Sequence, residues 1–165
     1  RGNNNAYAQD NAIGWVDWSR PDRALAGFVG RLAEIRRAHP VLRQRLFLHS
    51  RPRSKDGLPD LFWRRADGAA PSPAEWQDPA FKTICVEIRA ASDTPAYSMT
   101  EDVIFGVFNA GAGCEVVLPD APSGRYWSWL LDTDQPETVF RKSDTAKGVI
   151  KVSGQSVVLL EMCSR

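Results

Sequence analysis

The hydrophobic period of this chain changes near residue 45, and that change restricts its fold more than any other sequence feature. From residue 46 onward, apolar residues occur in short runs rich in β-branched and aromatic side chains, each bounded by Gly, Pro, Asp or Ser. These runs follow one another without intervening helices, which predicts an antiparallel β-sandwich. Asn109-Ala-Gly-Ala-Gly113 is typical of a hairpin loop within it. The predicted strands are 61–64, 82–89, 103–108, 115–118, 126–131, 148–152 and 156–161.

One amphipathic helix is predicted before the strands. Ser19 and Asp22 stand at capping-box spacing, with Pro21 in the first turn, so we expect the helix to begin at Ser19. Pro40 ends it, because proline has no amide hydrogen and pushes the residue before it out of the α region. Five apolar residues at helical spacing form one stripe: Leu25, Phe28, Val29, Leu32 and Ile35.

The apolar stripe of this helix needs a partner surface. Each large apolar side chain left in water forfeits about 1.5–3 kcal/mol. We therefore expect the helix either to pack on the chain's own sandwich or to form a homodimer through its exposed face. A monomer with a solvent-exposed Phe28 would contradict this expectation.

Composition indicates an ordinary globular chain. The 165 residues are 43% hydrophobic and 25% charged, which is enough to bury a core. A net charge of +1 gives no long-range reason to expect nucleic acid or an acidic membrane as a partner. No apolar run approaches the roughly 20 residues that span a bilayer. Cys85, Cys114 and Cys163 are far apart and form no Cys-x-x-Cys pair, which favours buried reduced thiols and a cytoplasmic location.

The first eleven residues are dense in neutral amide side chains. Each Asn or Gln amide offers both hydrogen-bond donors and acceptors, which suits a neutral polyhydroxylated ligand such as a sugar. Asn is also an ordinary loop residue, because it tolerates a left-handed backbone. Composition alone leaves both interpretations open.

The order of residues in several short motifs carries more information. Residues 2–7 read Gly-Asn-Asn-Asn-Ala-Tyr, 9–11 read Gln-Asp-Asn, and 15–18 read Trp-Val-Asp-Trp. Residues 32–42 read Leu-Ala-Glu-Ile-Arg-Arg-Ala-His-Pro-Val-Leu, followed by Asp-Leu-Phe-Trp at 60–63 and Glu-Trp-Gln-Asp at 75–78. The chain thereby resembles bacterial glycogen debranching enzymes of the isoamylase type, in the α-amylase superfamily, closely to residue 78 and more loosely beyond. Many relatives have Cys where this chain has Ala8, a position without an assigned chemical role.

The resemblance implies a chain of two parts. Residues 1–45 would be the end of a catalytic (β/α)8 barrel, namely the loop after strand 8 and the last helix, and 46–165 a C-terminal β-sandwich domain. The whole enzyme would hydrolyse α-1,6-glucosidic branch linkages in glycogen with retention. Its Asp nucleophile, Glu acid/base and third Asp would lie before Arg1, so this chain is expected to be inactive alone, without catalytic residues, metal or cofactor. Its partners would be glycogen or another branched α-glucan, through the whole enzyme, and the rest of the barrel.

Two groups of residues are candidates for contact with sugar. Active sites of (β/α)8 barrels lie at the loops that follow the strands, so the opening loop is the first. The alternative is that Asp10 and Asn11 brace this loop against the barrel. The six tryptophans are the second, because an indole stacks on the C–H face of a sugar, although Trp127 and Trp129 share a strand face and are predicted to lie in the core. The loop candidates are Asn3, Asn4, Asn5, Tyr7, Asp10 and Asn11.

The remaining chemistry-bearing residues have local explanations. Glu87 and Glu161 are predicted to face outward from strands, and His39 and His49 to have capping or surface roles. The basic stretch at 36–55 is predicted to be a solvated or interdomain surface. Two rival functions stay open at this point, a free-standing carbohydrate-binding sandwich and a structural interaction domain.

Overall fold

The computed structural model describes residues 10–12, 14–15 and 17–164. Within these ranges the fold is mainly antiparallel β with one α-helix, as predicted. No helix in the described part of the chain combines the length and the apolar character needed to cross a membrane. The elements are α1 (Arg23–Ala38), β1 (Leu61–Arg64), β2 (Thr83–Ile88), β3 (Ile104–Asn109), β4 (Cys114–Val117), β5 (Arg125–Asp132), β6 (Thr145–Ala146), β7 (Val149–Val152) and β8 (Ser156–Ser164).

The strands form two antiparallel sheets. A six-stranded sheet has the order β1-β2-β3-β8-β5-β6, and β4 pairs with β7 in a second sheet. One face of each sheet contributes to a common core, which includes Phe105, Val116, Trp127 and Leu160. Alternate residues of each strand point to this core because successive side chains of a strand lie on opposite faces. The predicted antiparallel sandwich is therefore confirmed.

All seven predicted strands are present, with two differences around them. The two-residue β6 was not predicted, because a strand so short has no periodic pattern. The predicted hairpin at 109–113 is wrong: β3 pairs with β2 and β8, and β4 pairs with β7, so this loop crosses between the sheets. The Asn109 amide fixes the crossing, since Nδ2 donates to the carbonyls of Ala112 and Ser153, each at 2.8 Å.

Helix α1 begins later than predicted. Asp22 is its N-cap, and the Asp22 Oδ1 accepts a hydrogen bond from the Leu25 amide at 2.9 Å. The Ser19 hydroxyl instead donates to Asp17 at 2.6 Å, so Ser19 is occupied by an upstream turn and Pro21 precedes the cap. The helix ends at Ala38, before the proline, as predicted.

The apolar stripe of α1 is buried at one end only. Ile35 is 7% exposed, whereas Leu25 and Val29 are 57% and 54% exposed, and Phe28 is half-buried. The Arg31 guanidinium donates to two backbone carbonyls of the loop between β5 and β6. Of this stripe only Ile35 is buried, and the first turns of α1 remain exposed. Packing of the stripe on the chain's own sandwich therefore stays a prediction. The homodimer and the domain boundary near residue 45 stay predictions.

Candidate functional sites

The opening loop is described only in part. Asn3, Asn4, Asn5 and Tyr7 lie outside the described residues. Asp10 is exposed, and its Oδ1 accepts a hydrogen bond from the Trp15 indole at 2.6 Å. The Asn11 carbonyl accepts from the amides of Gly14 and Trp15, at 2.9 and 3.1 Å. These bonds form a turn that brings Asp10 and Asn11 close to Gly14 and Trp15. Contact between this loop and a glucan stays a prediction.

The tryptophans divide into buried and exposed groups. Trp127 is 2% exposed, its indole donates to the Pro119 carbonyl at 2.7 Å, and Trp129 on the same face of β5 also packs against the core. The predicted core role of this pair is confirmed. Trp15 and Trp18 are 63% and 83% exposed, so the N-terminal segment presents large apolar area to solvent together with the first turns of α1.

An open cleft lies at the end of the six-stranded sheet where β2 and β8 begin and β3 ends. Its volume is about 680 Å³. Trp76 and Phe108 line it and are 47% and 43% exposed, and Phe81 lines it half-buried. Polar groups of Asn109 and Gln155 also border it. This cleft could not be predicted from the sequence, because its lining comes from three separate segments, 75–84, 108–110 and 155–157.

Trp76 is held in a defined orientation at this cleft. Its ring meets Trp63 edge to face at 5.7 Å between centroids, and Phe81 at 6.3 Å. The short 3-10 turn that carries it, Glu75–Gln77, is fixed by Glu75, whose carboxylate accepts from the Ser72 amide at 2.7 Å and from Arg65 at 2.8 Å. The Ser72 amide and then the Arg65 guanidinium lower the pKa of Glu75 below its ordinary value.

Glu87 corrects an expectation, because it faces the core rather than solvent. Its side chain is 2% exposed and lies on the same face of β2 as the buried Cys85. Arg64 Nη2 donates to Glu87 Oε2 at 3.0 Å, and the Arg89 guanidinium donates to Oε1. Burial lowers the pKa of Arg89, and the Glu87 carboxylate opposes that effect. The two arginines compensate the buried carboxylate, so its outward orientation was wrongly predicted.

The prediction that the basic stretch at 36–55 is a solvated or interdomain surface is wrong for Arg53. Arg53 is 5% exposed rather than solvated, and its guanidinium binds the Asp56 carboxylate within the same loop. Asp60, in the following turn, is fully buried and accepts from the amides of His49 and Ser92 at 3.3 and 2.9 Å. These charges stabilise the loop before β1.

His39 is buried at the junction between α1 and the sandwich. Its amide donates to the Ile35 carbonyl at 3.0 Å, so it caps the helix C-terminus as predicted, but its ring is not on the surface. Nδ1 lies 2.8 Å from Asp102 Oδ1, and Nε2 lies 3.8 Å from Glu161 Oε2. The hydrogen bond to Asp102 raises the pKa of His39 although burial opposes it. Glu161 is thus half-buried beside His39, not outward-facing.

A pH-dependent stability follows from this junction. A histidine whose pKa is raised in the folded state contributes stability that is fully present below its unfolded pKa near 6.5 and lost as the pH rises through the folded value. We expect the melting temperature of the wild type, relative to His39→Gln, to fall by a few degrees between pH 5.5 and pH 9. Calorimetric melts at several pH values measure this difference. A difference that stays constant with pH would contradict the role of His39.

The two carboxylates beside His39 and two of the three cysteines lie inside the fold rather than at an open site. Asp102 and Glu161 both lie beside His39. Each of these two carboxylate side chains is only 14% exposed, so neither lies in an open cleft. Cys85 and Cys163 are buried free cysteines, as predicted, and burial raises the pKa of Cys85 to about 12, which keeps it an unreactive thiol. Among the described residues, no group of three or more His, Cys, Asp or Glu could hold a metal ion.

Comparisons with known proteins agree with the resemblance seen in the motifs. No protein-family model matches the chain. It is 29% identical, over 96% of its length, to the glycogen operon protein GlgX homolog of Mycobacterium tuberculosis (strain ATCC 25618 / H37Rv), and spans 23% of that protein's length. It is 40% identical to the glycogen debranching enzyme of Dickeya chrysanthemi over 77 residues, which are 47% of this chain and 11% of that enzyme. The chain is therefore a homologue, at modest identity, of proteins named glycogen operon protein GlgX homolog and glycogen debranching enzyme.

Proposed function

We propose that this chain is the C-terminal region of a cytoplasmic glycogen debranching enzyme that hydrolyses α-1,6-glucosidic branch linkages with retention. In this proposal residues 1–45 complete the catalytic barrel, and 46–165 form its C-terminal β-domain. The observation that carries it is the match along 96% of the chain to the mycobacterial GlgX homolog. The similarity of 77 residues to the glycogen debranching enzyme of Dickeya chrysanthemi supports debranching as the activity.

The chain's own contribution would be structural and non-catalytic. A retaining glycosidase uses two carboxyl groups about 5–5.5 Å apart that face the substrate. Among the described residues, the buried and partly buried carboxylates have other partners. Glu87 binds two arginines, Asp60 binds backbone amides, and Asp132 accepts from the Asp134 amide. Asp102 and Glu161 flank His39. These contacts support a stabilising β-domain whose acids hold the fold together.

The N-terminal segment would form part of the glucan cleft and the contact with the barrel. The amide side chains of Asn3, Asn4 and Asn5 can both donate to and accept from sugar hydroxyls without a change of charge. The exposed Trp15 and Trp18 and the exposed first turns of α1 offer apolar area that the remaining barrel would cover. Both features fit residues 1–45 as the end of that barrel.

The proposed activity is tested on the longer protein of which this chain would be a part. Incubated with amylopectin, it should release linear α-glucan chains and new reducing ends, whereas linear amylose should yield none. Proton NMR of the first products should show the α-anomer, because the double displacement retains configuration. Cleavage of amylose, no release from amylopectin, or a β-anomer as first product would each refute the proposal.

A further inference from the structure

We propose that the open cleft at the end of the six-stranded sheet binds α-glucan chains, with Trp76 as the stacking platform. The choice of α-glucan rests on the proposed function, whereas the cleft itself rests on the geometry of the β-domain. Its volume of about 680 Å³ lies within the 300–1,000 Å³ that is typical of small-ligand sites. Because it is open at the surface, an oligosaccharide could cross it without having its ends enclosed.

The aromatic side chains are the first argument. Trp76 and Phe108 leave nearly half of their surface in water, at a loss of about 25 cal/mol for each Å² of apolar area. The same domain buries Trp127 to 2% exposure, so its core accommodates tryptophan. Exposed aromatic rings that share one cleft indicate a binding surface. An indole can cover the C–H face of a glucose unit while the sugar hydroxyls remain in water.

The fixed position of Trp76 is the second argument. Its edge contacts with Trp63 and Phe81 and the hydrogen bonds of Glu75 with Ser72 and Arg65 hold the ring before any ligand arrives. A side chain ordered in advance loses little conformational entropy on binding. These contacts leave the indole 47% exposed, so they orient it without covering it.

The polar rim is the third argument, and it favours a neutral ligand. Exposed Asp78, Lys82 and Gln155 border the cleft, and with Glu75 they bring charges of both signs and an amide. No single sign dominates to select an anion or a cation. Gln155 has φ 52°, a left-handed conformation that is uncommon for residues other than glycine, at the turn before β8. Amide, ammonium and carboxylate groups together match hydroxyl groups, which both donate and accept.

Maltoheptaose binding by the 165-residue chain tests this inference. We expect calorimetric titration and tryptophan fluorescence to show saturable binding, and Trp76→Ala to weaken it at least fivefold. Trp18→Ala is the matched control, since Trp18 is 83% exposed and is not part of the cleft lining, and should bind as the wild type does. Gln155→Ala is the second variant, because this exposed side chain can be removed without disturbing the core, and it should also weaken binding.

Several outcomes would overturn the inference. They are no binding of maltoheptaose by the wild type, unchanged binding by both cleft variants, an equal loss in Trp18→Ala, or tighter binding of cellohexaose. Sedimentation that shows a dimer lost in Trp76→Ala would identify the cleft as a contact between copies and would also overturn it. If the longer protein debranches amylopectin but this chain does not bind maltoheptaose, only this inference is refuted. If this chain binds maltoheptaose but the longer protein does not debranch amylopectin, only the proposed function is refuted.

Discussion

Replacing Glu87 with Ala should lower the free energy of unfolding by about 3–5 kcal/mol, the range found when one partner of a buried ion pair is removed. The Glu87 carboxylate is 2% exposed and binds Arg64 and Arg89, whose side chains are 24% and 9% exposed. Without it, two guanidinium groups remain in or near the core and lose the carboxylate to which both are bonded. Arg89 would be affected most, because burial already lowers its pKa.

Glu115→Ala is the matched control for this substitution. Glu115 also lies in a strand and also faces a base, Lys151 on β7, but it is exposed. Removal of such a surface charge should change stability by no more than about 0.5 kcal/mol. Urea unfolding followed by tryptophan fluorescence measures both variants. Similar losses for Glu87→Ala and Glu115→Ala would show that the buried charge cluster has no special role.

Trp127→Ala should cost about 3–5 kcal/mol of stability, as large-to-small substitutions of buried aromatic residues do. Trp127 is 2% exposed, tilts against Phe105 at 5.8 Å between ring centroids, and donates its indole hydrogen to the Pro119 carbonyl. The substitution would leave a cavity in the core cluster between the two sheets, and the Pro119 carbonyl would lose its hydrogen-bond donor.

The control for this second prediction is Trp18→Ala. Trp18 is 83% exposed, so its removal should change the unfolding free energy by less than about 0.5 kcal/mol. Both variants are compared by chemical denaturation under the same conditions. A loss below about 1 kcal/mol for Trp127→Ala would mean that the sandwich core does not depend on this ring.

Local patterns made the strands predictable. The residues of β2 and β8 form short, largely apolar runs that are bounded by turn residues, so their limits could be predicted within a few positions. The start of α1 was less predictable, because both Ser19 and Asp22 have side chains that can cap a helix N-terminus. Asp17 engages Ser19, which leaves Asp22 to cap the helix.

The buried charges and the aromatic cleft were beyond local patterns. Glu87 looks like a surface residue of a strand until Arg64, 23 positions earlier, is placed beside it by strand pairing. His39 and Asp102 are 63 positions apart. Such partners depend on sheet order, which local sequence patterns do not specify. The opening-loop candidates, by contrast, came from their neutral amide side chains together with the resemblance, and they stay a prediction.

The motifs that carry the resemblance have physical roles in the β-domain. Trp63 and Trp76, from two separate motifs, meet edge to face at 5.7 Å. Asp60 is buried and binds backbone amides, and Glu75 fixes the turn that carries Trp76. Packing and hydrogen bonding at the edge of the six-stranded sheet explain these positions.

The most direct test of the account is hydrolysis by the purified 165-residue chain alone. With amylopectin as substrate, reducing-end release should not exceed the buffer blank, even at concentrations at which the longer protein debranches completely. That result would agree with a chain whose buried carboxylates stabilise the β-domain, while the catalytic carboxylates lie in the rest of the longer protein. Measurable release of linear chains by this chain unaided, abolished by substitution of one of its own carboxylates, would contradict it.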